Sequence, residues 1–123
     1  MAGIEEKFSL KRDEDNIMLE WTETLTTPGQ ATQAQRYQAT QNGILFQWTG
    51  TATAFSGVVE RCTLDPTKGA PNWAPAEDQA VSGNPAAGKS PLIYNEPARG
   101  WWRFRLLSIT GGTITVYVVG EQA

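Results

Sequence analysis

Residues 100–119 read Gly-Trp-Trp-Arg-Phe-Arg-Leu-Leu-Ser-Ile-Thr-Gly-Gly-Thr-Ile-Thr-Val-Tyr-Val-Val. In the first half, Trp102, Phe104 and Leu106 alternate with Trp101, Arg103 and Arg105. In the second half, Ile114, Val116 and Val118 alternate with Thr113, Thr115 and Tyr117. A period of two marks an extended strand with one face on a core. The β-branched and aromatic content of both halves agrees. Gly111-Gly112 lies between them and can supply the positive φ of a tight turn. Two short strands joined this tightly are expected to run antiparallel.

The same period extends outward. In 17–24, Ile17, Leu19 and Trp21 alternate with Met18, Glu20 and Thr22; in 44–49, Ile44, Phe46 and Trp48 alternate with Leu45, Gln47 and Thr49. Asn42-Gly43, between 36–41 and the Ile44 run, is a hairpin signal. Residues 54–63 are a further strand, with a bulge expected near Gly57 because Val58 and Val59 are adjacent. Residues 65–75 and 83–91, rich in Pro, Gly, Asn and Ala, read as surface loops. Residues 25–41 leave two readings open, a polar strand with an extended loop or a flexible arm. The best helical stretch, 9–15, has too few apolar residues to dock. The pattern predicts an all-β fold, an antiparallel β-sandwich or jelly-roll-like form with about seven or eight strands and little or no helix. Residues 1–15 are expected to be an acidic arm or edge strand, and 16–123 a single domain.

Composition narrows the chemistry. The chain has 123 residues, of which 40% are hydrophobic, enough for one modest core. No run approaches the ~20 apolar residues of a membrane span. Residues 1–11 contain no apolar signal core, so no secretory signal is expected. Seven acids and three bases in residues 1–23 give a net charge of −4, while the remaining residues carry six acids and seven bases. That asymmetry raises two readings, a solvated strand or arm and a head-to-tail contact between copies. No basic stripe tracks phosphates, so no nucleic-acid partner is expected. The single cysteine, Cys62, has no disulfide partner in the chain, and there is no histidine to activate it or to bind zinc.

Catalytic motifs are missing from the sequence. It holds no Ser-x-x-Lys, no Gly-x-Ser-x-Gly, no Walker loop and no Gly-x-Gly-x-x-Gly. Glu60, Asp65, Glu77, Asp78 and Glu96 are the candidate acids for a glycosidase pair, and none sits in a recognisable catalytic setting. No cofactor, metal site or catalytic residue is therefore expected. Thr63-Leu64-Asp65, Gly69 and Trp73 resemble the Asp-box pattern with two extra residues. In that structural turn the Asp accepts backbone hydrogen bonds and the Trp packs beneath. The face of the 101–106 strand opposite the core carries Trp101, Arg103 and Arg105 in a row. Trp and Arg are enriched at interface hot spots, and an exposed Trp beside Arg also suits a sugar platform. A third reading has the chain's own loops cover that face through Arg–Trp stacking. Trp101, Arg103, Arg105 and Trp73 are the candidate interface or ligand surface.

The order Val-Val-Glu-Arg-Cys-Thr-Leu-Asp (58–65), Gly-Ala-Pro-Asn-Trp-Ala-Pro (69–75), Tyr-Asn-Glu-Pro (94–97), Gly-Trp-Trp-Arg-Phe-Arg (100–105) and Ile-Thr-Gly-Gly-Thr-Ile-Thr-Val (109–116) resembles small β-sandwich structural proteins of tailed-bacteriophage virions, of the head decoration or spike type. The resemblance covers roughly 54–120. It implies a non-enzymatic capsid decoration (cement) protein, assembled in the host cytoplasm and located in the virion. The implied partners are copies of itself in a homo-oligomer, often a trimer, and the major capsid or another virion protein. A carbohydrate-binding module is the alternative, motivated by five Trp in the chain. Of these, Trp21, Trp48 and Trp102 fall on core faces, leaving Trp101 and Trp73 as platforms. A host glycan is thus a further candidate ligand, and the two readings can coexist.

Overall fold

The computed structural model describes residues 8–13, 16–39, 43–94 and 98–122. It contains nine strands: β1 Phe8–Asp13, β2 Asn16–Leu25, β3 Gln35–Ala39, β4 Ile44–Gly50, β5 Ala54–Cys62, β6 Ala74–Gly83, β7 Leu92–Tyr94, β8 Ala98–Thr110 and β9 Ile114–Gln122. Among the described residues a single 3-10 turn, Pro85–Ala87, interrupts them. Every pairing is antiparallel. One sheet runs β1-β2-β9-β4-β7 and the other β3-β8-β5-β6. A short ladder, Tyr37↔Gln122 and Gln38↔Glu121, carries the hydrogen bonding from one sheet into the other.

The four alternating runs bury the faces the sequence predicts. Leu19 and Trp21 on β2, Ile44, Phe46 and Trp48 on β4, Trp102, Phe104 and Leu106 on β8, and Ile114, Val116 and Val118 on β9 share one core. Ile17 has no described side chain. Aromatic contacts join the layers: Trp48 meets Phe104 edge-on at 5.5 Å, and Phe46 meets Tyr94 at 5.6 Å within the first sheet. Such pairs contribute roughly 0.5–1.5 kcal/mol each beyond their buried area.

Both glycine turns depart from the hairpin expectation. Gly111 and Gly112 take φ of +62° and +90°, yet β8 and β9 share no ladder. The turn passes the chain from the second sheet to the first. A Cβ on Gly112 would strike the Thr51 hydroxyl and come within 2.9 Å of the Ala52 nitrogen. Likewise β3 pairs with β8 and the end of β9, while β4 pairs with β9 and β7. Gly43 keeps its positive φ of +69°, but the strands around it do not form a hairpin, and Asn42 lies outside the described residues. Period-two patterning specifies which side of a strand is buried. It does not specify the partner, because strands of either sheet present the same apolar face to one shared core.

The polar segments add further detail. Residues 9–13 belong to β1, which pairs with β2 from Phe8↔Trp21 to Asp13↔Asn16. β6 begins within the loop expected over 65–75 and runs to Gly83. Its register jumps from Val58↔Ala80 to Glu60↔Pro75, looping out four residues around Glu77, which takes a φ of +52°. Pro75 and this excursion hide the strand's period. The bulge expected near Gly57 is present in the β5–β8 ladder, between Ser56 and Gly57, with Leu107 as the extra residue on β8. Of the open segment 25–41, the described residues, to Ala39, form the β3 strand preceded by a stretch along the β8 edge. There the Gly29 and Thr32 amides donate to Leu106 and Phe104 carbonyls at 2.8 and 2.9 Å.

Candidate functional site

The site lies on the outer face of the second sheet. On β8, Trp102, Phe104 and Leu106 point inward, so Trp101, Arg103 and Arg105 point outward. On β5, Val59 is in the core, so Val58, Glu60 and Cys62 also point outward. The ladder then sets Arg105 opposite Val58, Arg103 opposite Glu60 and Trp101 opposite Cys62. On the other flank of β8, Arg36 of β3 stands opposite Trp101 and is exposed.

Glu60 anchors the cluster. Arg103 Nε donates to its Oε1 at 3.0 Å, Arg105 Nε donates to the same oxygen at 3.1 Å, and Arg105 Nη2 donates to Oε2 at 3.2 Å. The Glu60 side chain is 6% exposed, against 23% for Arg103 and 36% for Arg105. A buried carboxylate needs this pairing, since an unpaired buried charge is costly. With one anion and two cations, the trio keeps a net positive charge near the surface.

Trp73 completes the arrangement. The Arg103 guanidinium lies 4.2 Å from the centre of the Trp73 ring, within cation–π range. Two strands and a loop therefore hold one guanidinium between a carboxylate and an indole. The loop that delivers Trp73 is itself tied. Asp65 Oδ1 accepts the Thr67 amide at 2.9 Å and the Thr67 hydroxyl at 2.7 Å, and the Asp65 carbonyl accepts the Lys68 amide at 2.9 Å. These bonds to Thr67 hold the Asp65 carboxyl below its usual range. The Asp half of the expected turn is thus present, while Trp73 lies against Arg103. Beside Trp101, the Cys62 thiol donates to the Leu64 carbonyl at 3.2 Å, and burial pushes its pKa up.

The structure brings together Arg103, Arg105 and Trp73 of the sequence-predicted set, with Trp101 one position further along β8. Glu60, which binds two of them, reads in the sequence only as a candidate acid. Its signal was a lone carboxylate after Val-Val in a strand, which calls for a buried partner. Asp78 has no described side chain, and Glu96 lies outside the described residues. Among the described residues no three His, Cys, Asp or Glu side chains gather to hold a metal ion.

The outer face of the first sheet differs in character. Glu20, Val119, Leu45 and Ile93 form one cross-strand row over β2, β9, β4 and β7. Ile93 is 64% exposed and Tyr117, in the adjacent row, 42%.

No family model matches the chain, and no curated protein matches it. Among solved structures it is similar to the capsular polysaccharide assembling protein CapF from Staphylococcus aureus, with 10% identity and a TM-score of 0.33. The match covers 94% of this chain and 28% of that one. A likeness this slight informs neither fold nor function.

Proposed function

We propose that this protein is a non-enzymatic virion structural protein, a decoration protein that sits as a homo-oligomer, a trimer, on a phage head lattice. The observation that supports this reading best is the Arg103 guanidinium held between Glu60 and Trp73. Ordering a long side chain at an interface costs roughly 0.5–1.5 kcal/mol. Here much of that ordering is already done within the chain. A preorganised Arg beside Trp73 and Trp101 has the make-up of a protein-contact hot spot.

The same geometry weighs against the sugar platform. Trp21, Trp48 and Trp102 are in the core. One side of the Trp73 ring is taken by Arg103, and Trp101 is half-buried. Stacking on a sugar ring needs an open indole face.

Heads that lack this protein, prepared from the virus that encodes it, supply the test. Purified protein added to them should co-sediment at a fixed ratio to the major capsid protein. Absence of uptake at micromolar concentration would overturn the virion reading. Deleting residues 2–7 tests the acidic arm, because that deletion spares β1, whereas deletion of 2–12 would remove most of a paired strand.

A further inference from the structure

We infer that the outward ends of Arg103 and Arg105 form a carboxylate-binding site, filled by the side chain of one Asp or Glu on the lattice protein. The choice of partner rests on the attachment proposed above. The chemistry of the site rests on the cluster itself.

Hydrogen bonding within the cluster defines what the two arginines still offer. Glu60 Oε1 accepts from Nε of both Arg103 and Arg105, at 3.0 and 3.1 Å, so the two guanidiniums sit side by side. Glu60 Oε2 accepts from Arg105 Nη2. Among the described residues, both η nitrogens of Arg103 and Nη1 of Arg105 make no hydrogen bond. The two η nitrogens of Arg103 are one complete fork. Cross-strand neighbours supply no acceptor for Arg105, which stands between Val58 and Ala31. Asp65 is committed elsewhere. Its Oδ1 holds Thr67, and the cations that act on it are Lys68 and Arg36.

Electrostatic balance selects the ligand. Two guanidiniums against one carboxylate leave a single positive charge, which one further carboxylate neutralises. A phosphate group carries about −1.5 to −2 at pH 7, and would leave the cluster negative beside Glu60. Shape agrees, because the planar N–H fork of Arg matches a carboxylate with two parallel bonds. The Arg103 and Arg105 side chains are only 23% and 36% exposed, so an anion there is attracted more strongly than on an open surface. The Trp73 ring, 4.2 Å from the Arg103 guanidinium, holds its plane, so little side-chain freedom is lost on binding.

Side-chain magnetic resonance on the full-length protein tests the site without any head. Acetate, titrated against chloride at constant ionic strength, should shift the Arg103 and Arg105 guanidinium N–H signals along saturating curves. The Arg36 signal should not follow. Arg105→Gln should weaken the response at least about tenfold, the loss of one hydrogen bond between charged groups. Arg103 keeps Glu60 paired in that variant, so circular dichroism should be unchanged. A linear response to acetate, or saturation by inorganic phosphate at lower concentration, would overturn the inference. Heads that lack the protein test the partner. Arg105→Gln should lower uptake at least about tenfold, by the same lost bond, whereas Arg36→Gln, outside the Glu60 cluster, should bind as wild type does. Equal uptake of Arg105→Gln and wild type would overturn the inference for the lattice partner. Heads that take up no wild-type protein, while acetate still saturates the two arginines, would overturn the virion reading and leave the carboxylate site standing.

Discussion

Glu60 and Arg103 face each other across the β5–β8 ladder, Nε 3.0 Å from Oε1, with the Glu60 side chain 6% exposed. Removing one partner of a buried ion pair is strongly destabilising, because the remaining charge loses its compensation. Here the remaining groups are guanidiniums with 23% and 36% exposure, so water recovers part of the loss. Glu60→Ala should therefore cost about 2–3 kcal/mol, at or just below the lower end of the ~3–5 kcal/mol range for such pairs. Urea denaturation would read this as a drop in midpoint at constant slope. A change below about 0.5 kcal/mol, the level of an ordinary surface substitution, would show that the pair is superficial.

Gly57 is dictated by close approach. A Cβ there would overlap the Phe104 ring, with Cε1 at 2.6 Å and the Arg105 carbonyl oxygen at 2.7 Å. Gly57→Ala should cost about 1–3 kcal/mol, the usual range for overpacking a core. Shortening the ring relieves the clash. In the Gly57→Ala background, Phe104→Leu should thus cost clearly less than in wild type. A double-mutant cycle measures this directly, and strict additivity would sink the explanation.

How much of this was legible in the sequence follows from what alternation encodes. Trp48 and Phe104 could be placed in the core because each sits in a period-two run, and burial of one strand face depends only on that run. Their contact could not be read, since it depends on which sheet each strand joins. Gly111-Gly112 announced a turn and its positive φ, but equally fits a hairpin and a crossover between sheets. Trp101, Arg103 and Arg105 were legible as one row by the same period. Glu60 and Trp73 were not legible as their partners, because Glu60↔Arg103 spans 43 residues and Trp73 arrives from an irregular loop. β6 stayed hidden behind Pro75 and the excursion at Glu77, where the backbone leaves the pleat and the alternation stops.

Two buried hydroxyls make opposite predictions. Thr32 Oγ1 accepts the Phe104 amide at 3.0 Å in a buried setting. Thr32→Val leaves that amide unsatisfied and should cost about 1–3 kcal/mol. The Tyr37 hydroxyl is buried with no hydrogen-bond partner among the described residues. Tyr37→Phe removes a desolvated polar group and keeps the ring, so stability should hold or rise by up to about 1 kcal/mol. Paired urea titrations would check both. Substantial loss in Tyr37→Phe would mean that the hydroxyl is satisfied in solution.

Alkaline pH should unfold this protein through its buried acids. Burial, with a smaller contribution from the Glu77 charge, pushes Tyr94 from 10.0 up to about 12. Burial raises Tyr37 further, and also raises the Cys62 thiol. For each group the protonated form is favoured when folded. Between the unfolded and folded pKa values the native state therefore binds more protons than the unfolded state. Stability is accordingly full below the unfolded value and lost as pH rises. The decline should begin near pH 9, where the Cys62 thiol ordinarily ionises, and steepen above 10 as both tyrosines join. Each group adds a slope of at most about 1.4 kcal/mol per pH unit. Urea midpoints at pH 8, 10 and 11 should fall in that order, and Tyr37→Phe should flatten the final step by removing one of the three groups. A midpoint that stays level to pH 11 would show that both rings ionise without unfolding, which buried hydroxyls in this core do not allow.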